Sequence, residues 1–423
     1  MHPTKAVIVQ RRRNNERSSL NELRSLAESA GYTVVAEMEQ VRERDPNFQI
    51  GRGKAEELGE LVKAKKAEKV IFDNELKPLQ SYNLAKETGV EVIDRFQLIL
   101  EIFARRASTT EAKMQIELGK LRYELSRAKE RVKLAKMGEQ PGFMGLGAYQ
   151  VEVYHETIKR QIQHLRSKLK TVGKKRSLHR ARRLELGYAT VSLAGYTKAG
   201  KSSIFNTIAK ETVPVGIGLF TTLSTATRVI KLANRKVLLT DTVGFIDRLP
   251  LTLIEAFHST LEETVFSDVI LLVVDVDEPL EEIERKLTVS LDTIQTIGAT
   301  GVPIVTALNK IDLLKESEVQ EKTESLKGLA PNPVPVSALN GTNMSLLEQQ
   351  LALQLRQYVR ATFSIPSKSE HTVFLNWLFS RADVQSLQYE ADEVHVVFES
   401  VPWFAEKVRE KVTELGGTFE KQQ

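Results

Sequence analysis

Gly195-Tyr196-Thr197-Lys198-Ala199-Gly200-Lys201-Ser202 follows directly on an apolar run, Ala189 to Ala194, and leads into a helical stretch, Ser203 to Lys210. Glycine, four residues, then glycine, lysine and a hydroxyl, set between a strand and a helix, is a phosphate loop in the context its chemistry requires. The glycines let successive backbone N–H groups converge on a β-phosphate, and Lys201 adds a cation for the β- and γ-oxygens. Ser202 offers a hydroxyl to Mg²⁺ at the positive end of the helix dipole, with Ser203 beside it in the first turn. The spacing predicts a nucleoside triphosphate site on a P-loop α/β domain.

Outward from this loop, the strand Val302 to Leu308 ends in Asn309-Lys310-Ile311-Asp312. Asp312 can accept from both N1–H and N2–H₂ of guanine, whereas adenine presents an acceptor at N1 and would leave the carboxylate unpaired. GTP over ATP follows from that donor pattern. Lys310 is expected to lie over the nucleotide, and Ser337-Ala338-Leu339, after the strand Pro333 to Val336, to support the base through backbone amides. As plain turn residues, Asn309 and Asp312 have a blander reading. Asp241-Thr242-Val243-Gly244 follows the strand Val237 to Leu239, so Asp241 can reach Mg²⁺ through water and the Gly244 N–H can bond the γ-phosphate. Upstream, Phe220-Thr221-Thr222 lies in a loop hinged on Gly218, and Thr222 can coordinate Mg²⁺ only while GTP is present. Lys201, Thr222 and Gly244 are the expected catalytic set, acting on a γ-phosphate attacked in line by water, and the two loops are switch segments.

The chain has 423 residues, enough for several cores, and its 41% hydrophobic and 27% charged composition is that of a folded globular protein. With no cysteine there is no disulfide or thiolate metal site, and the seven histidines are scattered without ligand spacing, so Mg²⁺ brought by the nucleotide is the only metal expected. No apolar run approaches a membrane span and the N-terminus lacks a secretory pattern, so a cytoplasmic monomer without stable membrane insertion is expected.

Charge divides the chain. Residues 104–187 hold 21 Lys and Arg against 8 Asp and Glu, a net +13, which leaves −8 for the rest of a chain whose total is +5. Such a segment suits a polyanion, although a solvated helix pair would look the same in composition. Met114, Leu118, Leu121, Leu125, Ala128, Val132 and Ala135 recur at alternating steps of four and three. Ile158, Ile162, Leu165, Leu169 and Val172 resume the seam after a glycine-rich break at 138–147, predicting an antiparallel helical hairpin. Before it, alternating strand and helix patterns predict an N-terminal parallel α/β domain over 1–103. The hairpin is expected over 104–186, the GTPase domain over 187–362, and a small C-terminal domain of helices and a β-hairpin over 369–423, with Pro366 to Ser369 as linker. Gly51-Arg52-Gly53-Lys54 lacks the spacer of a phosphate loop and reads as the punctuation of a helix start.

Taken together, the phosphate loop, Phe220-Thr221-Thr222-Leu223, Asp241-Thr242-Val243-Gly244-Phe245-Ile246 with Leu249-Pro250, and Asn309-Lys310-Ile311-Asp312 resemble the HflX family of GTPases. The likeness extends to Phe72-Asp73-Asn74-Glu75-Leu76, Asp94-Arg95, Leu98 to Ala104, Gln115 to Leu118 and Leu121-Arg122-Tyr123. The resemblance implies binding to the large ribosomal subunit, a helical linker reaching into rRNA and, in many members, ribosome splitting. Three departures or peculiarities stand out. Phe245 occupies the place where many GTPases keep a water-orienting Gln, which implies slow turnover in isolation. Lys198 replaces the family's Asn, so that its ammonium could stand in for a monovalent cation beside the phosphates or point to solvent. The tip Gly142-Phe143-Met144-Gly145-Leu146-Gly147 lacks the family's arginine, which makes any contact there more apolar. An ATP-driven RNA remodeller and a nearly inert GTP-binding protein remain the rival readings.

Overall fold

The computed structural model describes residues 4–136, 148–185, 188–210, 226–232, 235–242, 244–246, 264–355, 359–367, 371–379, 381–390, 392–400 and 402–422. Phe220, Thr221, Thr222, Leu249, Pro250 and the 138–147 tip lie outside them. Residues 4–172 form one compact unit and the described residues from 173 onward another.

In the first unit β1 (Thr4–Arg12), α1 (Leu20–Ser29), β2 (Tyr32–Val41), α2 (Arg52–Lys65), β3 (Lys69–Phe72), α3 (Pro78–Thr88) and β4 (Glu91–Asp94) alternate. The strands make a parallel sheet in the order β2-β1-β3-β4. Val7 and Val9 pack with Leu58 of α2 and Leu84 of α3, and the period-two alternation turns Ala6 and Ile8 to the opposite face, so the β1 run is apolar on both sides. Gly89, at φ 71°, ends α3 in the left-handed conformation that glycine adopts without cost.

A helix that the sequence reading did not single out follows at once: α4 (Arg95–Arg106). Asp94 is its N-cap, accepting from Gln97 N at 3.1 Å, in a capping box whose Asp-x-x-Gln signal was present in the sequence. The other Asp94 oxygen accepts from Tyr123 Oη at 2.5 Å, and Arg127 lies 3.5 Å away. Tyr123 also stacks on Phe96 with centroids 4.4 Å apart. Burial and the Asp94 carboxylate push the Tyr123 phenol far above its ordinary pKa, so it remains a donor. A second buried group joins Arg95 to Asp73 at 2.8 Å and to Glu22 at 3.1 Å, with Ser19 Oγ donating to Asp73. Asp73, Asp94, Arg95 and Tyr123, all in stretches that carry the resemblance, thus lie in two buried polar clusters at the ends of β3 and β4.

Tyr123 belongs to α5 (Thr110–Lys136), and α6 (Ala148–Glu185) returns beside it. Leu118 and Leu121 form one cluster with Ile158 and Ile162, and Leu125, Leu165 and Leu169 pack against it, while Tyr154 Oη reaches Glu124. These contacts run the two helices antiparallel along the predicted seam.

In the second unit β5 (Ala189–Gly195), α7 (Lys201–Ala209), β6 (Ala226–Leu232), β7 (Arg235–Asp241), β8 (Val269–Asp275), α8 (Leu280–Thr296), β9 (Ile304–Asn309), α9 (Glu316–Leu326), β10 (Pro333–Val336) and α10 (Met344–Gln354) build a six-stranded sheet. Its order is β10-β9-β8-β5-β7-β6, parallel except for β6. β5 lies inside the sheet between β8 and β7, so the phosphate loop leaves the carboxyl end of a strand paired on both edges.

The C-terminal sheet corrects the expected boundary. β11 (Val359–Pro366) pairs with β13 (Glu393–Ser400) and β14 (Thr418–Gln422), with β12 (Asp383–Tyr389) outside β13, and α11 (Thr372–Phe379) and α12 (Pro402–Glu414) complete the set. Residues 359–362, assigned from sequence to the GTPase domain, are therefore part of a strand near the middle of this antiparallel sheet, and Pro366 ends that strand instead of opening a linker. Ala361, Phe363 and Ile365 enter the C-terminal core, an alternation that the adjoining Pro-Ser-Lys-Ser composition obscured.

Candidate nucleotide site

Two glycines show why the phosphate loop must have its sequence. Gly195 has φ 136°, and a Cβ there would stand 2.3 Å from Val273 O; Gly200 has φ 98°, and its Cβ would meet Asn309 Nδ2 at 2.1 Å. Lys201 and Ser202 open α7 and are both buried. Lys201 Nζ donates to Gly195 O at 3.1 Å and Tyr196 O at 3.0 Å, so the ammonium is held under the arch of the loop. Burial pushes its pKa from 10.5 down to about 8, and the Asp241 carboxylate offsets part of the effect. Ser202 Oγ donates to Asp241 Oδ2 at 3.0 Å. Thr197 is buried, and its Oγ1 has no hydrogen-bond partner among the described residues. Lys198 is exposed and left-handed at φ 67°, and Ala199 and the half-buried Ser203 flank the helix start.

The strand end that carries Asp241 lies against this loop. Phe245 N donates to Gly195 O at 2.9 Å and Thr197 N donates to Phe245 O at 2.8 Å. A side chain on Gly244 would come within 2.8 Å of Lys201 Nζ. Phe245 itself is buried, 2% exposed, so the residue after Gly244 serves the packing and presents no polar group to orient water.

Asn309 ties two loops together: its Nδ2 donates to Ala199 O at 2.9 Å and its Oδ1 accepts from Ala338 N at 3.1 Å. Asp312, on a 3-10 turn over Ile311–Leu313, accepts from Ser337 Oγ at 2.5 Å, which fixes the carboxylate. Ser337 is fully buried and Leu339 is 83% exposed, so Leu339 is the member of that trio with an open side chain. Lys310 is left-handed at φ 75° and ion-paired with Asp275 at the end of β8.

Sequence reasoning missed the surroundings of Lys310. Asp275 Oδ1 accepts from Asp277 N at 3.1 Å, and Lys322 Nζ from α9 donates to Val276 O at 2.7 Å and Glu278 O at 2.9 Å. Glu278 pairs with Lys286 of α8, whose Nζ lies 5.0 Å from the centre of the Tyr196 ring. The only trace in the sequence was a carboxylate closing the apolar run Val269 to Val274.

Ser202 Oγ and Asp241 Oδ2 are buried hard oxygen donors side by side where the phosphates would enter, a donor set that suits Mg²⁺ better than a softer metal. Among the described residues no helix is long and apolar enough to cross a membrane.

Comparison with known proteins agrees along most of the chain. Residues 17–104 match the family described as GTP-binding GTPase N-terminal, 106–183 the GTP-binding GTPase Middle Region, and 190–310 the 50S ribosome-binding GTPase. The GTPase HflX of Thermococcus kodakarensis is 42% identical over 394 residues, covering 91% of this chain and 89% of the relative. That of Methanocaldococcus jannaschii is 45% identical over 345 residues, covering 82% and 85%. A solved GTP-binding protein from Sulfolobus solfataricus in complex with GDP is 28% identical, with a TM-score of 0.47 over 84% of this chain and 99% of that one. With relatives at such identity over nearly their whole length, the chain belongs to the HflX family of GTPases, which bind GTP and hydrolyse it.

Proposed function

We propose that this GTPase is a nucleotide-dependent switch on the large ribosomal subunit, binding rRNA through its helical hairpin and splitting or recycling ribosomes. The observation that carries the reading is the hairpin: its apolar seam is turned inward at Leu118, Leu121, Ile158 and Ile162, while Lys113, Lys120, Arg160, Arg166 and Lys168 are exposed. A net +13 over residues 104–187 on such a rod suits a phosphate backbone, and the matched family's description as 50S ribosome-binding names a partner of that chemistry.

At the nucleotide, Asp312 reads the guanine edge and Lys310 covers the ring, while Asn309 ties the base side to the phosphate loop. The loop residues 195–203 wrap the phosphates, Lys201 balances charge on the β- and γ-oxygens, and the Gly244 N–H donates to the γ-phosphate. Mg²⁺, when bound, would supply positive charge to offset the charge carried by the phosphates. Ser202 and Thr222 would ligate it directly and Asp241 through water, with Phe220 and Thr221 assigned to the nucleotide beside Thr222. Because Phe245 offers nothing to position the attacking water, turnover in isolation is slow, and the ribosome supplies what is missing.

The test is steady-state GTP hydrolysis with and without purified large subunits. A rise of roughly 10³-fold or more on adding subunits is expected, within the range known for partner-stimulated GTPases. An unchanged rate favours an inert GTP-binding protein, and a preference for ATP favours an RNA remodeller.

A further inference from the structure

We infer that Asp275 is a positioning residue for guanine recognition, acting through Lys310. The inference rests on the assignment of Lys310 and Asp312 to the base. Lys310 follows directly on the end of β9 with φ 75°, a left-handed backbone that a residue with a Cβ adopts only when its surroundings hold it there. A lysine stem has four rotatable bonds, and forming a flat apolar cover over a purine requires most of them to be frozen. The structure supplies the restraint at the far end: the Lys310 ammonium is ion-paired with Asp275 Oδ2. The Lys310 side chain is 33% exposed and that of Asp275 14%, so the pair is partly shielded from solvent.

Asp275 is itself fixed. Its Oδ1 accepts from Asp277 N, and Val276 N donates to Asn309 O at 3.0 Å, which extends the pairing of β8 with β9 past the end of the strand. Lys322 then holds the carbonyls of Val276 and Glu278. The carboxylate therefore stands on a turn braced from two sides. Its pairing lowers the entropy that Lys310 would otherwise lose when guanine arrives, which is preorganisation of the binding site. Asp275 touches no nucleotide in this account. Its contribution is to the affinity for any base that Lys310 covers, while the choice of guanine remains with Asp312.

The experiment is a double-mutant cycle on GDP affinity with the full chain, measured by calorimetry on wild type, Asp275→Asn, Lys310→Met and the double variant. Asn keeps an oxygen for the Asp277 N–H but can turn an amide donor toward the ammonium, so the turn persists and the pair is lost. D275N is expected to weaken GDP binding by about tenfold, the size of one well-made charged contact. In the Lys310→Met background the same substitution should change affinity less than twofold, because there is no ammonium left to position. Asp275→Ser, which also retains an acceptor for the turn, gives the same cycle if D275N unfolds at a lower temperature than wild type. Unchanged GDP affinity in D275N overturns the inference, as does an equal loss in both backgrounds, which would mark a general structural role. Asp312→Asn, measured alongside, separates this from failure of the base assignment: if it leaves the GDP to ADP ratio unaltered, the assignment of the base has failed, whatever D275N does.

Discussion

Asp312→Asn is expected to lower affinity for GDP and GTP by about 10³-fold or more, because a site built around two donors of the base loses far more than the contact when one acceptor is replaced. Ser337 Oγ donates to Asp312 Oδ1, so the carboxylate is already oriented and the substitution meets a rigid frame. Guanine presents N1–H and N2–H₂, and the Asn amide can accept from one but opposes the other with its own donor. Xanthine carries an oxygen in place of the N2 amino group, and for it the Asn pattern of acceptor and donor is complementary. Binding of XDP should therefore improve in the variant while GDP binding collapses, a crossing that general damage cannot produce. Parallel losses for both nucleotides in calorimetric titrations would show that Asp312 does not read the base.

The second large effect concerns Lys201. Its replacement by Met should lower the hydrolysis rate by roughly 10³-fold, since an aimed cation in a closed site is among the largest single contributors to phosphoryl transfer. A pH dependence accompanies it. Burial holds the lysine at about 8 in the folded protein, against 10.5 in an exposed chain. As pH rises through about 8, free protein gives up the proton that phosphate binding requires, so the GDP dissociation constant should climb toward tenfold per pH unit above that point and be flat below it. Stability moves the other way. Between about 8 and 10.5 the unfolded chain holds more protons than the folded one, so the protein free of nucleotide becomes more stable as pH rises across that window. Below about 8 the buried ammonium costs about 3 kcal/mol, a deficit that Lys201→Met removes. Thermal denaturation of both proteins from pH 7 to 10 checks the sign: the wild type should gain on the variant with rising pH.

Local motifs were legible because their chemistry is carried by neighbours in sequence. The phosphate loop needs eight consecutive residues between a strand and a helix, and the predicted Ala189 run and Ser203 stretch are the observed β5 and α7 to within a few residues. Asn309 and Asp312 could be read for the same reason. What the sequence withheld are partnerships made by topology. Asp275 is 35 residues from Lys310, and Lys322 is 46 from the Val276 carbonyl it holds, so no spacing rule could pair them. Asp94 could be read as the cap of α4 from its Asp-x-x-Gln spacing, but its role as acceptor for Tyr123 emerges only when α5 packs against α4. The expected boundary at 362 falls inside β11 because the partners of that strand, β13 and β14, come later in the chain than the composition break beside it.

The proposed switch requires that nucleotide govern the grip of the basic hairpin on the large ribosomal subunit. Co-sedimentation of the protein with purified large subunits, in GDP and in a non-hydrolysable GTP analogue across a series of KCl concentrations, tests it most directly. Binding is predicted to be at least tenfold tighter with the analogue and to weaken steeply with salt in both states, as phosphate contacts require. Equal binding in the two nucleotides, or binding indifferent to salt, would contradict it.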